Sequence, residues 1–272
     1  MRKIFYFIAI ILIIWLAGCY WAINWIDKKT FSSFPGRHEL ALTRFFWEIS
    51  PAINHEKDAD RALKFSWLHA STEIYQNENK EISKITDILE KESLFVSRYI
   101  ASNQGLISAK MKIISEIQLL TYLNRINLFI NYFDQNIDIK MTGLDLKIQL
   151  LDPSIQENWY REMMIHGKLS GNINLYEANR GKLFSLLNRQ QDIPNIFVEG
   201  MMNFYDGVLF CIAKQRDEAL PYIKLAKNKL ARYPEYAAIL YSSDLNVILI
   251  GKGMKSDPSC KEAITDVISL GE

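Results

Sequence analysis

Residues 81–101 read EISKITDILEKESLFVSRYIA, and this stretch decides the fold class. Ile82, Ile85, Ile88, Leu89, Phe95, Val96, Tyr99 and Ile100 fall on one stripe at helical spacing, with charged and polar residues between them. Gly105 follows as a stop signal. From Leu106 to about Phe133 the same pattern recurs through Ile113, Ile114, Ile117, Leu120, Ile126 and Ile130. Two long amphipathic helices joined by a short glycine-containing turn bury their stripes by packing antiparallel. The expected class is therefore all-α, built from antiparallel helical hairpins.

Upstream, His38 to Ile49 carries Leu40, Leu42, Phe45, Phe46 and Ile49 at helical spacing and stops at Ser50-Pro51. A second helix, capped by Asp58 or Asp60, runs through Ala62, Leu63, Trp67 and Tyr75. Downstream the period changes. Ile137, Ile139 and Met141, then Leu144, Leu146, Ile148 and Leu150, alternate with other residues around Thr142-Gly143, which suggests a small β-hairpin over residues 137–150, with a frayed helix as the alternative. Either form makes this segment the boundary between an N-terminal helical part, 37–151, and a C-terminal part, 152–272. Asp152-Pro153 opens the latter as cap and first helical residue. Helices are expected at about 153–166, 174–190, 195–214, 216–232, 235–251 and 258–269, with Pro194, Pro234 and Pro258 at joins.

The first 26 residues place the rest of the chain. Arg2 and Lys3 precede an apolar run from Ile4 to Trp15 that ends in Leu16-Ala17-Gly18-Cys19. A basic start, an apolar stretch and small residues make an export signal. The apolar-small-small-Cys ending resembles the bacterial lipoprotein signal. That resemblance implies a cut after residue 18, with Cys19 as the acylated first residue of the mature chain. The alternative is an uncleaved transmembrane anchor over residues 4–26, because apolar residues continue through Ile26 and the run is long enough to cross a hydrocarbon core. Flanking charge, Arg2 and Lys3 against Lys28 and Lys29, leaves orientation open. Residues 19–36 are expected to link anchor to domain, with Pro35-Gly36 as a turn signal. Both forms put the bulk of the chain at a bacterial membrane. The lipid-anchored form faces the periplasm or exterior, and the alternative is a single-pass inner-membrane protein.

The 272 residues carry a net charge of +1, and without Arg2 and Lys3 the remainder has 30 basic against 31 acidic residues. Such balance points away from nucleic acid as a partner. With Cys19 assigned to the lipid, Cys211 and Cys260 remain as an even pair. In an exported compartment they can form a disulfide, or they are two small buried hydrophobes on helices.

Within the C-terminal part, Phe204 to Phe210, Asp217 to Ala226 and Tyr233-Pro234 look like a tetratricopeptide repeat. Gly207 and Phe210 match the small and large positions of its first helix. Ala219, Ile223 and Ala226 match the small-large-small face of its second, and Pro234 follows Ala226 by eight residues where the family has five. Asn203 and Asp206 depart from the pattern, occupying places where the family has apolar residues. A fainter copy has Glu177-Ala178 before Pro194 and Gly167 near the place of Gly207. The resemblance covers about residues 153–251 and implies a superhelix of stacked hairpins that binds another protein.

No catalytic motif emerges. His38, His55, His69 and His166 lack metal-ligand spacing, so neither a metal nor another cofactor is expected. Asp58/Asp60 and Glu90/Glu92 are the carboxylate pairs that an envelope hydrolase would use, but they read more simply as a helix start and a solvated face. The expectation is a non-enzymatic, membrane-anchored adaptor or assembly factor of a bacterial envelope complex. An immunity or inhibitor lipoprotein belongs to the same binding class. Contact with another envelope protein is expected through Tyr205, Arg216, Lys224 and Tyr241.

Overall fold

The computed structural model describes residues 2–28, 36–51, 54–76, 82–130, 143–189, 194–234 and 244–271. The chain is all-α, and no strand occurs among the described residues. Its helices are α1 (Arg2–Lys28), α2 (Arg37–Glu48), α3 (His55–Gln76), α4 (Ile82–Ser102), α5 (Ala109–Ile130), α6 (residues 143–148), α7 (Pro153–Ser170) and α8 (Ile173–Leu187), followed by α9 (Asn195–Ile212), α10 (Arg216–Leu230), α11 (Asp244–Ser256) and α12 (Pro258–Ile268).

The helix ends follow local capping chemistry. Asn54 caps α3 in place of the expected Asp58 or Asp60: its side-chain oxygen accepts from the Lys57 N–H at 3.1 Å, and Asp58 accepts from the Asn54 N–H at 3.3 Å. That reciprocal arrangement satisfies two amides at the helix start. Ser108 does the same work for α5, its Oγ accepting from the Met111 N–H at 3.1 Å. Gly171 ends α7 in the left-handed conformation, φ 80°.

Residues 143–148 are helical, which corrects the expected second strand of a hairpin. Leu144 and Ile148, four apart, are buried while Leu146 between them is exposed, the signature of a helix face. Residues 137–142, the other expected strand, lie outside the described residues.

Contacts divide the chain into two compact units, Met1–Gln76 with Lys84–Leu119, and Asn77–Ser83 with Leu120–Glu272. The division falls inside α5 and not near residue 151. Within the second unit Asn124 and Arg125, late in α5, both bond to Glu162 of α7.

The first unit is organised on Ala22, Ile26, Leu40, Trp47, Ala62 and Phe65, with Phe46, Phe95 and Tyr99 packed against them. Trp47 is its aromatic hub, 6.2 Å from Phe65, 5.9 Å from Phe95 and 5.7 Å from Tyr99 between ring centroids. Helices α1 and α2 run antiparallel, since Cys19 meets Phe46 while Trp25, further along α1, meets Glu39. Residues 19–28 are thus part of a helix in this core, where the sequence suggests a linker; residues 29–35 lie outside the described set.

In the second unit α9 and α10 form an antiparallel hairpin, with Gly200 against Leu230 and Gly207 against Ile223 and Ala219. A Cβ on Gly207 would lie 2.5 Å from Ile223 Cγ1 and 3.1 Å from the Ile223 backbone nitrogen, so only glycine permits this approach. Ala219, Ile223, Ala226 and Leu230 form the buried face of α10, each large apolar side chain adding about 1.5–3 kcal/mol. Helices α7 and α8 are also antiparallel, as Lys168 lies over Tyr176 and Lys182 over Tyr160. Here the register is its own. Tyr176, Asn179, Leu183 and Leu187 are buried, and Ala178, the counterpart of Ala219 in the fainter copy, is exposed. Helices α11 and α12 pack on α9 and α10. A disulfide between Cys211 and Cys260 ties α9 to α12.

Candidate functional site

Helix α1 has two chemically different halves. Ile4, Phe5, Tyr6, Phe7, Ile8, Ile10 to Ile14 and Leu16 are bare, each about half exposed or more, although apolar on every side. Then Cys19, Ala22 and Ile26 turn into the core. Ile4–Lys28 is long and apolar enough to cross a membrane, the one such helix among the described residues. A bare helix that is apolar all round has no stable place in water.

The packing at Gly18 and Cys19 is tight. A Cβ on Gly18 would lie 2.1 Å from the Phe46 ring, and the Cys19 thiol donates to the Phe46 carbonyl at 3.4 Å. Beyond this contact the α1–α2 pair becomes polar: the Trp25 indole N–H donates to Glu39, and Arg61 of α3 grips Asp27 with two hydrogen bonds of 2.8 Å. The Asp27 hydrogen bond leads the causes that hold the Arg61 guanidinium above its ordinary pKa. A cavity of about 380 Å³ between these helices is lined by Trp21, Asn24, Trp25, Lys28 and Glu39, and so holds one carboxylate.

The carboxylate pairs separate. Asp58 is buried and bonded to Arg61 at 3.0 Å, whereas Asp60 is exposed. Glu90 is exposed, but Glu92 is only 1% exposed, which corrects its reading as part of a solvated face. Glu92 Oε1 accepts from Arg44 at 3.0 Å and pairs with His69 Nδ1 at 2.8 Å. Burial opposes the Arg44 charge, yet Glu48 and Glu92 outweigh it and raise its pKa. Two carboxylates two residues apart on a helix point in different directions, so neither pair can share a substrate atom.

Two buried polar networks stand in the second unit. Asn124 donates to Glu162 at 2.7 Å, Arg125 donates to it twice at 3.1 Å, and His166 pairs with Asn124 at 3.0 Å. Asp206 accepts from the Tyr176 hydroxyl at 2.5 Å and from Arg180 Nε at 2.8 Å. This explains why an acid stands at a place that is apolar in tetratricopeptide repeats: its partners come from α8. Burial, reinforced by Asp206, pushes the Tyr176 hydroxyl up, and Asp206 keeps Arg180 high against the cost of burial. Lys168 sits 3.5 Å from the Phe210 ring centroid, and Phe210 stacks on Tyr222; burial lowers the Lys168 pKa.

Of the expected contact residues, Tyr205 is 3% exposed with Arg161 over its ring, so it is a core residue and offers no surface. Arg216 is exposed and paired with Asp217 at 3.1 Å, Lys224 is exposed beside exposed Leu225, and Tyr241 lies outside the described residues. Pro234 is exposed and ends the described stretch after α10. Among the described residues no three His, Cys, Asp or Glu side chains are grouped to hold a metal. His55 and His69 are each bonded elsewhere, to Asn103 and Glu92. The buried networks are architectural in form, tying helix to helix. No protein-family model matches this chain, and neither do curated proteins or solved structures.

Proposed function

We propose that this chain is a membrane-anchored, exported helical protein of a bacterial envelope, and that it works without catalysis as an adaptor or assembly factor by binding another protein. The observation that carries the reading is the division of α1, bare and apolar through Leu16 and built into a folded core from Cys19. The Cys211–Cys260 disulfide supports export of the second unit, because such bonds persist in oxidising compartments. The tetratricopeptide-like reading draws support from the α9–α10 hairpin, where Gly207 meets Ala219 and Ile223 at backbone distance.

For the mode of anchoring we favour the uncleaved helix. The Cys19 thiol is buried and donates to the Phe46 carbonyl, so a thioether-linked lipid on its sulfur would break that hydrogen bond and open the packing around it. The lipoprotein reading keeps one observation of its own: a cut after residue 18 would spare Cys19, Ala22 and Ile26, the core residues of α1. Mass spectrometry of the purified mature chain decides between them, with an intact N-terminal peptide expected and an acylated Cys19 refuting the helix anchor. Pull-down from detergent extracts tests the binding role. A stoichiometric partner whose recovery falls on Lys224→Glu is expected, and a monodisperse chain with no partner would refute it.

A further inference from the structure

Helix α2 is apolar on two faces. Leu40, Thr43 and Trp47 point into the first unit's core, as the 3.6-residue period requires. On the opposite side Leu42 is 51% exposed, Phe45 59% and Ile49 41%, and exposed Ala41 continues the face. The charges that could have made this side soluble lie at its edge and are engaged: Arg44 bonds to Glu48 at 2.8 Å and to the buried Glu92 at 3.0 Å. A contiguous Leu-Phe-Ile face on an outer helix marks something that covers it.

The position of this face identifies the cover. The C-terminal half of α2 lies beside Gly18 and Cys19, where the bare stretch of α1 begins, because the two helices are antiparallel. Polarity increases in the other direction: at the far end of the same pair lie Asp27, Lys28, Arg61 and Lys64, with Arg61 and Lys64 both bonded to Asp27. The apolar end of the pair therefore adjoins the anchor, and its charged end points away from it. Tyr20 and Trp21, both exposed, stand at the transition, where amphipathic rings suit the headgroup level.

We infer that the Leu42–Phe45–Ile49 face of α2 lies in the headgroup and upper acyl layer of the bilayer that α1 enters, making the first unit a body seated in the membrane surface. This rests on the reading of α1 as an uncleaved anchor. Because α2 runs antiparallel to α1, depth increases toward its C-terminus: Ile49 lies up to about 10 Å deeper than Leu42 at about 1.5 Å per residue, and Arg44 and Glu48 descend along the edge of the face as an ion pair.

The test uses the full-length chain in lipid nanodiscs, on a Cys19→Ser background. A nitroxide is placed singly through Leu42→Cys, Phe45→Cys or Ile49→Cys, with Ile10→Cys as the anchor reference and Glu90→Cys as the water reference. Each label is read for collision with oxygen, which partitions into lipid, and with a water-soluble nickel chelate. The expected result is an oxygen-to-nickel ratio several-fold higher at 42, 45 and 49 than at 90, and highest at 10. Labels on α2 that match residue 90 overturn the inference while a lipid-exposed residue 10 leaves the anchor standing. Labels on α2 shielded from both reagents mean that protein covers the face, a second copy or another chain, and also overturn it. A residue 10 open to nickel defeats the anchor reading itself.

Discussion

Breaking the Cys211–Cys260 bond is the sharpest perturbation of the second unit. The two cysteines are 49 residues apart, and closing a loop of that size in the unfolded chain removes roughly 14 cal/mol/K, about 4 kcal/mol at 25 °C. In a unit of this size each kcal/mol moves the melting midpoint by about 2–4 °C, so reduction should lower it by about 8–16 °C. The assay is a pair of melts followed by circular dichroism, with and without a phosphine reductant, repeated on Cys211→Ala/Cys260→Ala, which should melt low in both. Thiol titration in denaturant without reductant accompanies it. With Cys19 the only free cysteine, one thiol per chain is expected. No thiol would mean a modified Cys19, and three would mean that no bond forms. A midpoint that stays put once the thiols are demonstrably reduced would refute loop closure in the unfolded chain as a source of this unit's stability.

Other predictions concern single side chains. Gly207→Val should cost about 3 kcal/mol in urea denaturation, because the new side chain meets Ile223 and the adjoining backbone, which has no rotamer to yield; an unchanged midpoint would place the hairpin elsewhere. Glu162→Ala removes the buried carboxylate to which Arg125 and Asn124 both donate and should cost about 3–5 kcal/mol; a loss under 1 kcal/mol would refute the network. Lys252 donates to the Leu128 carbonyl, and burial pushes its pKa down to about 8 from an ordinary 10.5. Between those values the unfolded chain binds more protons than the folded one, so stability should rise with pH there, by about 1–2 kcal/mol after allowing for partial exposure. Lys252→Met should flatten that rise, and an equal rise in both proteins would exclude Lys252 as its source.

The legible parts of this fold are those where one physical rule acted alone. The stripe through Ile85, Leu89 and Val96 is a helix because those residues share one buried face. Leu144, Leu146 and Ile148 were ambiguous in principle: three alternating positions contain both a strand period and an i, i+4 pair, and burial of the outer two selects the helix. Glu92 was illegible because its partners Arg44 and His69 lie 48 and 23 residues away, and nothing local distinguishes it from Glu90. Tyr205 offers no contact surface because α9 is buried on most of its circumference, which no local pattern around it reveals. The apolar face of α2 could be found in sequence only by noticing that Leu42, Phe45 and Ile49 form a second stripe beside Leu40 and Trp47.

A domain on a loose tether turns freely and averages over every approach that a neighbour could make. Helix α1 allows no such freedom, since the rod that would enter the bilayer is the same helix that carries Ala22 and Ile26 into the core of the first unit. Height above the membrane and angle to its normal are then set together for that unit, and a shift in bilayer thickness or in the tilt of the rod would be felt directly at Trp47.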